Sequence, residues 1–188
     1  MAAVLDDLLS AGVKLFQYRD KQASSRELFQ ECAEMAERVR QAKAIFIVND
    51  RADVARAVEA DGVHLGQDDL PIELARRVLK PSQWIGCSTH NLTQVREADK
   101  SPADYIAFGP IFPTRSKERP DPIVGLIGLR QAREATRKPL VAIGGLTVEN
   151  ARAAIEAGAD SVAVISDLVG AEDVAARARE YLRELEKL

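Results

Sequence analysis

Short apolar runs alternating with amphipathic stretches set the rhythm of this chain. Seven runs, residues 13–18, 44–48, 62–65, 84–88, 105–108, 140–143 and 161–165, are short, largely apolar and mostly rich in β-branched residues. That pattern predicts strands buried on both faces. Between them apolar residues recur at helical spacing, as in Leu28, Cys32, Met35 and Val39, in Val54, Ala57 and Val58, and in Leu74, Val78 and Leu79. Residues 126–136, 148–157 and 171–188 continue the series, and residues 4–11 open the chain as a helix with no strand before it.

Repeated β-then-α units with short connections imply parallel strands and right-handed crossovers. A doubly wound sheet could absorb seven strands. A (β/α)8 TIM barrel better explains the even spacing and the polar residue at nearly every strand end. The expected fold is therefore an α/β TIM barrel lacking its first β-strand at the N-terminus. At 188 residues the chain is shorter than the roughly 200-residue lower bound for such barrels. No Pro/Ser-rich linker divides it, so a single domain over residues 1–188 is expected.

Composition changes this picture little. The chain is 46% hydrophobic and 29% charged, ordinary for a globular protein. A net charge of −3 offers no global attraction to nucleic acid or an acidic membrane, so any anion site must be a local concentration of donors. No secretory signal or membrane-spanning run is visible, and Cys32 and Cys87 have no metal-like spacing. The expectation is a cytoplasmic protein with two reduced, packed cysteines.

The chemistry gathers at the strand ends, the catalytic face of a barrel. The first run ends in Gln17-Tyr18-Arg19-Asp20-Lys21, where period-two alternation puts Gln17, Arg19 and Lys21 on one side. Two cations and an amide there suit an anion, or else a solvated strand edge. The next runs end in Asn49-Asp50 and in His64-Leu65-Gly66-Gln67-Asp68-Asp69. Asp50 and Asp69 could converge on Mg2+, or cap the helices that follow them. His64 reads foremost as a packed core histidine, while His90 either lines the site or sits idle in a loop.

Farther on, Gly109-Pro110-Ile111-Phe112-Pro113-Thr114-Arg115-Ser116-Lys117 puts hydroxyl, guanidinium and ammonium donors just beyond a strand, the groups a phosphate needs. The last two strands end in Gly144-Gly145 and in Ser166. Phosphate sites in this fold often use loops there, although a tight turn alone accounts for Gly-Gly. Two anion-binding regions result. No Ser-His-Asp order, nucleophile elbow or cofactor fingerprint is present.

These strand ends, taken with Asp61 to Asp69, Ala142 to Gly145 and Val164-Ile165-Ser166, resemble the thiamine phosphate synthase family in the same order over nearly the whole chain. The resemblance implies a Mg2+-dependent transferase that joins an aminopyrimidine methyl diphosphate to a thiazole phosphate, with pyrophosphate release through a pyrimidine carbocation. It implies that Gln17, Tyr18, Arg19, Asp20, Lys21, Asn49, Ser88 and Lys117 hold the pyrimidine diphosphate. Of these, Arg19, Lys21, Ser88 and Lys117 would carry catalysis. Asp50 and Asp69 would hold Mg2+, and Thr114, Arg115, Ser116, Gly145, Ile165 and Ser166 the thiazole phosphate.

The chain departs from the family at Ser116, where threonine is usual, and in the absent first strand. The nearest rival is the related thiazole tautomerase, in which a histidine stands near the position of Pro110. A non-catalytic phosphate-binding barrel is a rival of another class. Expected partners are small-molecule substrates, with no nucleic acid and no membrane; the sequence sets no oligomeric state.

Overall fold

The computed structural model describes residues 2–114 and 121–186. They form two compact units, Met1–Cys87 and Ser88–Leu188, and the boundary falls inside one continuous strand. Each unit is described by itself.

The first unit begins with helix α1 (Ala2–Ala11) and strand β1 (Leu15–Tyr18). Next come α2 (Ser25–Gln41), β2 (Ile45–Asn49), α3 (Ala52–Ala57), β3 (Gly62–Leu65), α4 (Ile72–Val78) and β4 (Trp84–Thr89). The strands pair in parallel in chain order, with Leu15 beside Ile45, Ile47 beside Gly62, and Gly62 beside Trp84. Helix α2 starts at a capping box, Ser24 with Glu27, and buries Leu28, Cys32, Ala36 and Val39. Its buried stripe is the one the spacing predicts, except that Ala36 is buried in place of Met35, which packs at the margin. Phe16, Phe46, Val48, Val63, Leu65 and Ile85 complete the core of this unit.

The second unit takes the end of β4, then α5 (Leu92–Lys100), β5 (Tyr105–Phe108), α6 (Gly125–Ala135), β6 (Leu140–Ile143) and α7 (Val148–Glu156). Strand β7 (Ser161–Ala163), α8 (Ser166–Val169) and α9 (Val174–Glu186) follow. Here too pairing is parallel, with Ile106 beside Leu140 and Val141 beside Ser161. Thr89 ties the end of β4 to β5, its Oγ1 donating to Ala107 O at 2.9 Å while its carbonyl accepts from Gly109 N at 3.1 Å. Ile106, Phe108, Ile111, Leu129, Leu140 and Ala154 are fully buried.

Among the described residues, seven parallel strands in chain order, alternating with helices, make a TIM-like α/β fold. Two predicted strands are longer than the observed ones. Val13 N donates to Leu8 O and closes α1 before β1 begins. At the other end Ile165 leaves the ladder and becomes the N-cap residue of α8. Helix α5 goes unmarked by apolar period because it buries only Val95 and Ala98, but its start is signalled by Asn91, whose side chain accepts from Gln94 N. Among the described residues, no helix is long and apolar enough to cross a membrane.

Candidate active site

In the first unit the ends of β1, β2 and β3 bring Lys21, Asp50 and Asp69 together. Asp50 follows β2 in a left-handed turn (φ 62°), with its N–H donating to His64 O at 2.8 Å. A short polar side chain tolerates that backbone better than most. Lys21 Nζ lies 3.6 Å from Asp50 Oδ2. From the end of β3, Asp69 reaches back to its own loop, Oδ2 accepting from Gly66 N at 2.6 Å. Gly66 fits because a Cβ there would sit 3.0 Å from the same oxygen.

Asp50 and Asp69 also share a side-chain hydrogen bond. Burial raises the Asp50 carboxyl above the usual carboxylate range, and the hydrogen bond with Asp69 and its charge raise it further. Lys21 and Arg19 pull the other way. Two neighbouring carboxyl groups are a donor set that suits a divalent cation, whose charge offsets the burial and repulsion that raise Asp50. Neither residue caps a helix: α3 has Arg51 at its N-cap and α4 has Pro71, both without a side-chain cap bond. The capping alternative is thereby removed for both. No group of three or more metal-ligating side chains exists among the described residues, so protein ligation would rest on this pair.

The alternation along β1 holds. Gln17 is exposed, as are Arg19 and Lys21, while Tyr18 is buried on the opposite side. The Tyr18 hydroxyl donates to Glu31 of α2, and burial followed by that carboxylate pushes its pKa well up, keeping it a neutral donor. Asp20 is likewise engaged, Oδ1 accepting from Gln22 N at 2.8 Å and from Ala23 N at 3.1 Å to form the turn into α2. Within this segment the described bonds of Tyr18 and Asp20 serve the scaffold, leaving Gln17, Arg19 and Lys21 as its donors. Asn49 stands beside His64 in the β2–β3 register. His64 is 6% exposed, and burial lowers its pKa to about 4 against the opposing charge of Asp69. It is the neutral core histidine that its apolar run suggests.

In the second unit the loop after β5 is laid against the end of β6. Ile111 N donates to Ile143 O at 2.9 Å and Phe112 N to Gly144 O at 3.1 Å. Gly145 (φ 66°) meets the same loop so closely that a Cβ would fall 2.4 Å from Pro113 O and 2.6 Å from Phe112 O. The Gly-Gly pair is thus required by the packing of the 109–114 segment as well as by its turn. Thr114 ends the described part of this loop, and Arg115, Ser116 and Lys117 lie outside the described residues.

His90 holds both sides of that loop, with Nδ1 2.5 Å from Gly109 O and Nε2 3.4 Å from Asp121 Oδ2. Sequence reasoning leaves its duty open; the partners give it one. Ser88 precedes it at the end of β4. At the end of β7, exposed Ile165 and then Ser166 open α8. The unit therefore presents Thr114, Gly145, Ile165 and Ser166 at its strand ends.

Comparison with known proteins identifies relatives of this chain. The family model described as thiamine monophosphate synthase matches residues 1–168. A thiamine-phosphate synthase of Koribacter versatilis is 52% identical over 95% of this chain and 83% of its own length. One from Chloroflexus aurantiacus is 46% identical over 95% and 82%. The solved thiamine phosphate pyrophosphorylase from Pyrococcus furiosus superposes with a TM-score of 0.91 at 39% identity, covering 98% of this chain and 89% of the other. With a family match over most of its length, relatives 46–52% identical over 82–83% of their own length, and the same fold, this chain belongs to the thiamine monophosphate synthase family.

Proposed function

We propose that the protein is a thiamine-phosphate synthase that joins an aminopyrimidine methyl diphosphate to a thiazole phosphate and releases pyrophosphate. The observation that carries the site assignment is the meeting of Lys21 with the Asp50–Asp69 pair at neighbouring strand ends. A diphosphate leaving group needs local positive charge, and the chain as a whole is negative. Arg19 and Lys21 supply that charge from β1, with Gln17 and Asn49 as neutral donors beside them.

Asp50 and Asp69 would hold Mg2+, which when bound neutralises charge on diphosphate oxygens. The protein's own residues do the rest by position. Arg19 and Lys21 stabilise charge growing on the departing pyrophosphate, a task the family resemblance also gives to Lys117. Ser88 orients the pyrimidine diphosphate from the end of β4. As the diphosphate leaves, the pyrimidine carbon becomes cationic and the thiazole nitrogen attacks it. Alignment of the two replaces any protein nucleophile.

In the second unit Thr114, Arg115, Ser116, the Gly145 backbone, Ile165 and Ser166 receive the thiazole phosphate. The packing of the 109–114 segment on Gly144 and Gly145 supports their acting together. A cytoplasmic location suits the buried thiol of Cys32, which burial pushes up to about 12 and so keeps protonated. Incubating the protein with both substrates and Mg2+ tests the reading. Thiamine phosphate with stoichiometric pyrophosphate is expected, whereas thiazole isomerisation, or binding without turnover, would overturn it.

A further inference from the structure

Leu146 and Asp167 directly follow Gly145 and Ser166, residues that the proposed thiazole phosphate pocket takes from two different strand ends. One side chain reaches both. Tyr181 of α9 is buried, with its hydroxyl 2.8 Å from Asp167 Oδ2 and 3.4 Å from Leu146 O. Both neighbours are acceptors and a phenol has one proton, so the short bond to the carboxylate takes it and the carbonyl contact is the weaker of the two. Arg177 adds a guanidinium nitrogen 4.0 Å from the same Asp167 oxygen.

This tie has an electrostatic reason. Asp167 places a carboxylate one residue from Ser166, where an unrestrained negative charge would repel a phosphate dianion. Helix α8 is four residues long and has no side-chain cap bond, so its own hydrogen bonds restrain Asp167 weakly. The phenol and the guanidinium turn the carboxylate toward α9.

We propose that Tyr181 is a positioning residue for the thiazole phosphate. Its hydroxyl fixes the Gly145 and Ser166 segments together and keeps Asp167 turned away from the anion. The inference rests on the assignment of that pocket above.

The test uses the whole chain carrying Tyr181→Phe, Asp167→Ala, Asp167→Asn or the Phe–Ala double substitution. Tyr181→Phe is expected to raise KM for thiazole phosphate about three- to tenfold, the worth of one hydrogen bond. KM for the pyrimidine diphosphate and kcat should stay within about twofold on the same basis. Asp167→Asn keeps an acceptor for the phenol and should remain near wild type, while the double variant should be no worse than the worse single. If Tyr181→Phe fails to fold, Asp167→Ala against Asp167→Asn carries the same comparison. An unchanged KM for thiazole phosphate, or an equal rise for both substrates, would overturn the proposal. Absence of synthase turnover in the wild type would instead overturn the proposed function. Calorimetric binding of thiazole phosphate to wild type and Tyr181→Phe would then decide the role of Tyr181, weaker binding sustaining it and equal binding overturning it.

Discussion

The carboxyl groups of Asp50 and Asp69, on loops after neighbouring strands, share a hydrogen bond with Lys21 beside them. Asp50 is raised above its unfolded value, so its contribution to stability is present at acid pH and is lost as pH rises through the folded value. Above that value the ionised, partly buried Asp50 costs stability unless a bound cation offsets its charge. Thermal melts with and without Mg2+ should show a larger rise in Tm near neutral pH than at about pH 4, close to the ordinary carboxylate value. An equal rise at both would remove the pair as the ligand set.

His64 responds with the opposite sign. Its folded value of about 4 lies below the ordinary histidine value near 6.5, because burial opposes its charge. Stability it provides is present above about 6.5 and is lost as pH falls toward about 4, to the extent of roughly 3 kcal/mol. Denaturant titrations over that range should show a steeper acid loss in the wild type than in His64→Leu. Parallel slopes would mean that the ring is protonated in the folded state.

Tyr18 distinguishes scaffold from site within one strand. Tyr18→Phe removes the bond to Glu31 and should cost about 1 kcal/mol of stability with little change in KM for the pyrimidine diphosphate. Lys21→Ala should do the reverse, raising that KM about tenfold or more while leaving Tm nearly unchanged. Steady-state kinetics and melting on both variants check the pair.

Gly145→Ala forces a left-handed φ on a residue with a Cβ and drives that carbon into the carbonyls of Phe112 and Pro113. Backbone strain alone is worth about 1–2 kcal/mol, and the clash must also displace the 109–114 segment. A drop in Tm accompanied by a rise in KM for thiazole phosphate is expected. A variant that loses stability but keeps that KM would separate the turn from the pocket.

Much of this molecule was legible because its signals are local. Two-residue alternation separated Gln17, Arg19 and Lys21 from Tyr18, and polar residues just after apolar runs marked the strand ends that carry Asp50, Asp69 and Ser166. What stayed hidden depends on distance along the chain. Nothing near Tyr18 announces Glu31, nothing near His90 announces Gly109 and Asp121, and Tyr181 meets Asp167 only because α9 folds back. Asp50 and Asp69 were ambiguous for another reason. A lone aspartate before a helix looks the same whether it caps or binds, and only the observed caps decide.

The most direct measurement is pyrophosphate release from both substrates as a function of Mg2+ in wild type and Asp50→Asn. Wild type should require the metal, and Asp50→Asn should raise the Mg2+ needed for half-maximal rate at least about tenfold with KM for thiazole phosphate unchanged. Identical Mg2+ curves for the two proteins would contradict the assignment of diphosphate and metal to the ends of β1, β2 and β3.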